Sequence, residues 1–267
     1  MAELLEEGDR TDEAKKLRNS AARLRDIVEE CFWMEHKGFY ALALDRDKRT
    51  VTSISSNPGH LLWSGLPVAD RAARVPSRML EPDMFAGWGL RTLSAQNPAY
   101  NPLSYQKGSV WPHDNAMAAA GMIRYGLREE AGKVLKAILE AAGAFEEHRL
   151  PELFCGFDRS NGLPVPYFQA NAPQAWAAAA PLLAVQLFLG LVPEAPRGKC
   201  YISPWLPEWL PRLEVRNISI GEGILSVTVA RSGTKTVIEE MDARSIKVVQ
   251  DVPESPLWGM PVKMPAT

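Results

Sequence analysis

Apolar residues recur at three- and four-residue intervals near the start of the chain, which is the spacing of a helix with one buried face. Leu4 and Leu5 lie in a short helical stretch that Gly8 ends. A second helix is predicted over 11–33, with a buried stripe that consists of Leu17, Ala21, Leu24, Ile27, Val28 and Cys31. The chain is therefore expected to open within helical structure.

The same periodicity predicts further helices downstream. Proline suits the first turn of a helix, and glycine often follows the last one. The predicted ranges are 60–65, 68–80, 112–125, 128–147 and 173–189. Alanine occurs on every face of the last of these, which predicts burial between neighbouring helices. Alternation over 38–45 instead predicts a short strand or extended hairpin.

Two long segments, 81–111 and 148–172, interrupt the helical pattern and are rich in proline, glycine and aromatic residues. Structureless loops this long inside a compact domain are usually functional. After Pro193 the pattern changes to strands, predicted at 213–220, 224–231 and 245–252. The sequence thus predicts a mainly α domain over 1–192 and a small β-rich appendage with a tail over 193–267.

Composition excludes several classes of function. The 267 residues carry a net charge of −2, whereas nucleic-acid binding requires clustered Lys and Arg. No segment predicts a membrane span or a signal peptide, so a cytoplasmic location is expected. Three dispersed cysteines and four dispersed histidines lack the spacing of metal ligands, and no glycine-rich phosphate loop is present. We therefore expect no metal, no cofactor, no nucleic acid and no membrane.

The unusual residues concentrate in two stretches, 105–115 and 149–159, where charged groups stand beside aromatic rings. Sugars bind to such surfaces because their C–H faces stack on rings while their hydroxyls hydrogen-bond to polar side chains. A carbohydrate is therefore the expected substrate.

Glycoside hydrolysis requires two carboxyl groups, one as an acid and one as a base or nucleophile. Glu152 and Asp114 are the candidates, with Asp158 behind them. Apolar neighbours would desolvate Glu152 and tune its pKa, although a salt bridge to Arg149 or Arg159 would also explain this residue. Asp114 begins a helix, where helix capping alone would account for a carboxylate.

Several segments together resemble the carboxyl-terminal half of amylo-α-1,6-glucosidase and related glycogen-debranching-type glycoside hydrolases, which are (α/α)6 barrels allied to mannosylglycerate hydrolase. The segments cover about residues 32–192 in the family's order: SNPGHLLWSGL, MFAGWGLRTLS, YNPLSYQKGSVWPHDNAMAAAGMIRYG, RLPELFCGF and PQAWAAAAP. The resemblance implies a partial (α/α)6 barrel and an inverting mechanism with Glu152 as the general base. It also implies a sugar site that is lined by Trp88, Tyr105, Gln106, Trp111, His113, Asp114, Asn115, Arg159, Gln174 and Trp176.

The sequence departs from that family in three places. The family commonly has Tyr-His-Asn-Gly where residues 105–108 read Tyr-Gln-Lys-Gly, and a cysteine where Asn171 stands. Its general acid is an Asp in a segment that nothing here resembles. We therefore expect a chain that lacks the acid and part of the barrel, and that has the missing amino-terminal half as a partner. The alternative is a non-catalytic carbohydrate-binding or regulatory half-barrel.

Overall fold

The computed structural model describes residues 1–253, and helices dominate the first 190 of them. The helices are α1 (Ala2–Glu7), α2 (Thr11–Cys31), α3 (Pro58–Ser64), α4 (Ala69–Met79), α5 (Pro112–Arg124), α6 (Arg128–Ala142) and α7 (Ala175–Leu189). Each corresponds to a helix expected from the apolar periodicity. α6 is shorter than predicted, because Gly143 follows its last turn and Glu147 adopts a left-handed backbone with φ of 51°.

Short strands connect the early helices, and longer strands follow α7. They are β1 (Trp33–Met34), β2 (Phe39–Tyr40), β3 (Ala43–Leu44), β4 (Thr50–Val51), β5 (Val192–Glu194), β6 (Lys199–Tyr201), β7 (Arg212–Ile220), β8 (Gly223–Ser232), β9 (Lys235–Arg244) and β10 (Lys247–Val249). β7, β8 and β9 form an antiparallel sheet, while β6 pairs with β5 and, in parallel, with β10. Sequence periodicity did not predict β9, because charged residues interrupt its alternation.

Two helices are less buried than their patterns predicted. In α2 only Ala14 is buried, so the prediction of a buried stripe there is wrong. Leu24 is 55% exposed and Ile27 is 43% exposed. In α7 one face is buried, but Leu182 is 72% exposed, so the helix is not buried between neighbours as its alanine content predicted. Within residues 1–253, these apolar side chains therefore remain partly open to solvent.

Small residues let α3 and α5 pack backbone against backbone at the centre of the molecule. A methyl group added to Gly121 would lie 2.6 Å from Cβ of Leu62, and one added to Gly59 would lie 2.6 Å from Cβ of Ala118. Such contacts are closer than van der Waals packing permits. The crossing therefore requires glycine at both positions.

The β-sheet region packs on the same hydrophobic core as the helices. Leu225, Val227 and Val229 of β8 belong to one buried cluster with Phe188 of α7 and Leu62 of α3. Residues 254–267 of the predicted appendage lie outside the described residues, and the division of the chain at 192/193 stays a prediction. No helix in the described part of the chain is both long and apolar enough to cross a membrane.

Candidate active site

Backbone bridges join the two long loops that the sequence singled out. Val110 and Phe154 exchange N–H···O hydrogen bonds of 2.9 and 3.0 Å. A Cβ on Gly156 would overlap the carbonyl of Gly108, so the loops touch at a position where any side chain is excluded. The loops are therefore fixed relative to each other. Trp111 directly follows Val110, and Glu152 lies two residues before Phe154, so both are close in sequence to this bridge.

The buried cation Arg91 provides a second tie between the loops. Its guanidinium donates to the carbonyl oxygens of Gly156 and Pro82, both at 2.8 Å, and lies 3.6 Å from the carboxylate of Asp158. Asp158 also accepts from the N–H and hydroxyl of Ser160. Asp158, the third candidate carboxylate, therefore already has an ion pair and hydrogen bonds within the loops.

Both carboxylate oxygens of Glu152 accept hydrogen bonds. The hydroxyl of Tyr105 donates to Oε1 at 2.5 Å, and Nδ2 of Asn171 donates to Oε2 at 3.0 Å. The side chain is only 7% exposed, so it does not lie in an open cleft. Each loop thus contributes one partner that orients the carboxylate.

The hydrogen bond from Tyr105 is the main cause that lowers the pKa of Glu152, and the donors of Asn171 and the nearby His113 lower it further against the opposing effect of burial. Hydrogen-bond donors favour the charged form of a carboxyl group.

Neither of the two arginines suggested by the sequence forms a salt bridge with Glu152, since Arg149 pairs with Glu147 and Arg159 pairs with Glu140. The salt-bridge alternative for Glu152 is therefore wrong, and this group is ionised at neutral pH.

Asp114 hydrogen-bonds to a histidine from another helix. Nε2 of His60, on α3, donates to Oδ1 of Asp114, in the first turn of α5. This bond raises the pKa of His60. The structure thus gives Asp114 a side-chain partner in addition to its favourable place at the start of a helix.

Six rings form a continuous row across this part of the molecule, hereafter the aromatic row. Neighbouring centroids are 4.0, 5.5, 4.9, 5.9 and 5.4 Å apart along the order Trp176, His113, Trp111, Tyr105, Tyr167 and Phe168. Trp176 is 59% exposed and Phe168 is 84% exposed, so both ends of the row present ring surface to solvent.

Burial lowers the pKa of His113, so this ring of the row is neutral at pH 7.

A cavity of about 520 Å³ opens beside the row. Its walls include four predicted site residues, namely Gln106, Trp111, His113 and Asp114. The buried Nδ1 of His113 and the buried hydroxyl of Ser55 have no hydrogen-bond partner among the described residues. Glu152 does not line this cavity; it reaches the row through Tyr105.

The remaining predicted residues lie apart from the cavity. Trp88 is buried in a satellite core, with the guanidinium of Arg159 4.1 Å from its ring centroid. Asn115 is fully buried, and its amide bonds to the backbone of Leu90 and Trp111. Gln174 precedes α7 with a buried Oε1 that has no partner within residues 1–253. We leave Trp88, Arg159 and Asn115 out of the proposed sugar contacts, because their polar groups are already used within the fold.

Sequence reasoning missed three contributors: His60, Phe168 and Asn171. His60 lies within SNPGHLLWSGL, one of the segments that carry the resemblance, so its position gave a usable signal. Asn171 lies where the sequence departs from the family pattern. Neither its spacing nor its polarity indicates that it contacts Glu152.

No group of three or more His, Cys, Asp or Glu side chains within residues 1–253 is arranged to hold a metal ion. The candidate site consists of hydrogen-bonded carboxylates and aromatic rings on a helical scaffold, a combination that suits a carbohydrate. This arrangement resembles the glycoside hydrolase domains that are built mainly from helices. Residues 1–158 match the model of the mannosylglycerate hydrolase MGH1-like glycoside hydrolase domain. The chain belongs to that family, since the match covers more than half of it.

Solved structures support the same fold at low sequence identity. A sialidase superposes with a TM-score of 0.68 at 13% identity, over 89% of this chain and 24% of that one. An uncharacterized conserved protein from Thermus thermophilus has a TM-score of 0.52 at 21% identity, over 65% and 41% of the two chains. The neutral trehalase Nth1 from Saccharomyces cerevisiae has a TM-score of 0.52 at 14% identity, over 65% and 30%. This chain therefore spans less than half the length of each.

Proposed function

We propose that this chain carries the base-bearing part of an inverting glycoside hydrolase, with Glu152 as the general base. The observation that supports this best is the carboxylate of Glu152, which two loops hold in its ionised form beside the aromatic row. Rings next to an oriented carboxylate suit a sugar that stacks while water attacks it.

In this mechanism Glu152 accepts a proton from water as the water oxygen bonds to the anomeric carbon. The glycosidic C–O bond breaks, and a separate acid protonates the departing oxygen. Inverting enzymes place the two carboxyl groups about 6.5–9.5 Å apart to accommodate the water. Exposed Trp176 and Phe168 would stack on sugar units on either side of the reacting one.

We further propose that the general acid comes from outside the described residues, on the missing amino-terminal half of an (α/α)6 barrel. The described candidate, Asp114, shares one of its oxygens with His60. The proposed substrate is an α-glucosidic oligo- or polysaccharide, as for amylo-α-1,6-glucosidase, and the proposed location is the cytoplasm. The resemblance of the segment RLPELFCGF, which contains Glu152, supports this choice of substrate, whereas the departures at residues 105–108 and at Asn171 do not.

The second candidate is a non-catalytic carbohydrate-binding or regulatory half-barrel. The length and exposure of the aromatic row favour it, since a binding module requires rings but no acid. Measurements of hydrolysis and sugar binding on an assembled barrel distinguish the two candidate functions. Under the first, Glu152→Gln abolishes hydrolysis and leaves sugar binding intact; under the second, no assembly with the missing half hydrolyses any glycoside.

Replacement of Trp176 by alanine should weaken the binding of maltooligosaccharides up to about tenfold, because one aromatic contact contributes roughly 0.5–1.5 kcal/mol. Isothermal titration calorimetry on the purified chain measures this. Leu182→Ala is the matched control, since Leu182 is also exposed on α7 but is not part of the aromatic row. Equal loss in both variants, or no binding by the native chain, would count against a sugar site here.

The exposed apolar side chains of α2 and α7 should make the isolated chain self-associate or bind a hydrophobic dye. Leu24 and Leu182 are more than half exposed, and bare apolar patches of a few hundred Å² usually mark interfaces. Size-exclusion chromatography with dye fluorescence tests this, and adding the missing half as a separate polypeptide should suppress both signals. A sharp monomer peak without dye binding would remove the proposal of a barrel partner.

A further inference from the structure

Asn171 contacts Glu152 through three separate hydrogen bonds. Its backbone N–H and its side-chain Nδ2 both donate to Oε2 of Glu152, at 3.3 and 3.0 Å. In return the backbone N–H of Glu152 donates to the carbonyl oxygen of Asn171 at 2.8 Å. The main-chain bond from Glu152 fixes the distance between the two residues, and both donors of Asn171 act on the same carboxylate oxygen, Oε2.

The donors on the two carboxylate oxygens come from different loops. Tyr105 holds Oε1 from the loop before α5, whereas Asn171 holds Oε2 from the loop before α7. A carboxylate that accepts hydrogen bonds at both oxygens cannot rotate about its Cγ–Cδ bond without losing a charge-assisted hydrogen bond. Its plane is fixed before any substrate arrives.

We propose that Asn171 is a positioning residue for the candidate base Glu152, fixing the carboxylate plane together with Tyr105. This inference rests on the proposed role of Glu152. A general base must present its lone pair to water in one direction, and small displacements of such a group are costly to rate. The side-chain amide supplies a full N–H donor at a position where the family that this sequence resembles commonly has cysteine, a weak donor.

The groups that face Glu152 are few. Tyr105 and His113 are the titratable neighbours, while Arg149 and Arg159 pair elsewhere. Tyr105 contributes most to the lowered pKa of Glu152, followed by the backbone and then the side chain of Asn171, with His113 last. Because the hydrogen bonds from Tyr105 and Asn171 stabilise the ionised carboxylate, loss of one of them raises the pKa of Glu152.

The test is a pH titration of the glutamate side-chain carboxyl carbons by NMR, with the Glu152 signal assigned from its absence in Glu152→Gln. Asn171→Ala should raise the Glu152 midpoint by roughly one pH unit, since hydrogen bonds to charged groups are among the strongest. Asn161→Ala removes an exposed amide from the same loop and should leave the midpoint unchanged. A native midpoint in a folded Asn171→Ala variant would overturn the proposal.

A second variant covers the case in which the alanine variant does not fold. Asn171→Asp keeps the shape of the side chain but replaces the donor with a like charge, so the midpoint should rise further. A residue that only packs the loop would change the melting temperature and leave the midpoint where it was. If the native chain binds no oligosaccharide, the proposed function fails, whereas the titration still decides whether Asn171 holds Glu152.

In an assembled barrel, the acid limb of the pH profile of kcat/KM should move to higher pH in Asn171→Ala by the same amount. An unchanged limb, with the NMR midpoint shifted, would show that Asn171 acts on Glu152 but that Glu152 is not the base. That outcome overturns the inference.

Discussion

The purified 267-residue chain should hydrolyse maltooligosaccharides at least about 10²–10⁴-fold more slowly than an assembled barrel, which is the usual contribution of a general acid. Glu152 is held ionised and therefore has no proton to donate, and we propose that the acid lies on the amino-terminal half of the barrel. The rate of release of reducing sugar, followed with and without the proposed amino-terminal half of the barrel, measures this. Loss of substrate positioning would lower the rate further.

Robust turnover by the chain alone, abolished by Glu152→Gln, would contradict this expectation. It would place the acid within the present sequence, with Asp114 the first candidate. Asp114→Asn and His60→Gln would then locate it, because the first removes the carboxylate and the second removes its partner. A contaminating glycosidase is excluded if the Glu152→Gln protein, purified in the same way, has no activity.

Replacement of Gly121 by alanine should destabilise the fold by about 1–3 kcal/mol, even though alanine is the better helix former. The added methyl group would lie 2.6 Å from Cβ of Leu62 and closer still to the backbone nitrogen of Trp63. The backbones of α3 and α5 would have to separate, because the nearest atoms belong to the backbone and to Cβ rather than to the end of a flexible side chain. Urea unfolding followed by far-UV circular dichroism gives the free energy of unfolding.

Gly132→Ala is the matched control, because Gly132 is also within a helix. Its added methyl group would meet side-chain atoms of Pro207 and Trp205 at 3.5 Å, which is ordinary contact. That variant should be stabilised by about 0.5–1 kcal/mol, since glycine in a helix costs backbone entropy. Equal effects of the two substitutions would mean that α3 and α5 do not cross as closely as described.

Helix periodicity sufficed to predict the helices because each is set by local spacing and terminal signals. Gly65 and Gly190 end their helices in the left-handed conformation that glycine favours. Burial was harder to predict, because it depends on what covers a helix face. The apolar spacing of α2 indicates that its stripe requires a partner, but it does not say whether that partner lies within this sequence.

The candidate site was predictable only in part, for a related reason. Glu152, Trp111 and His113 carry recognisable chemistry in recognisable segments, and the structure places them around one aromatic row. The hydrogen bond from Asn171 depends on how the loop 148–172 folds back on itself, and no periodicity encodes that. The burial of Asn115 likewise follows from a loop that returns to the start of α5.

The bridge between the two loops has a consequence for redesign. Val110 and Phe154 pair through the backbone, while Gly108 and Gly156 leave no room between them. If only one of the two loops were replaced by the loop of a relative, its backbone would no longer fit against the backbone of the other loop. The unit of exchange is therefore both loops together with the first turn of α5. Substitutions intended to change substrate specificity without disturbing that unit should be made at side chains outside the bridge, such as Gln106 and Phe168.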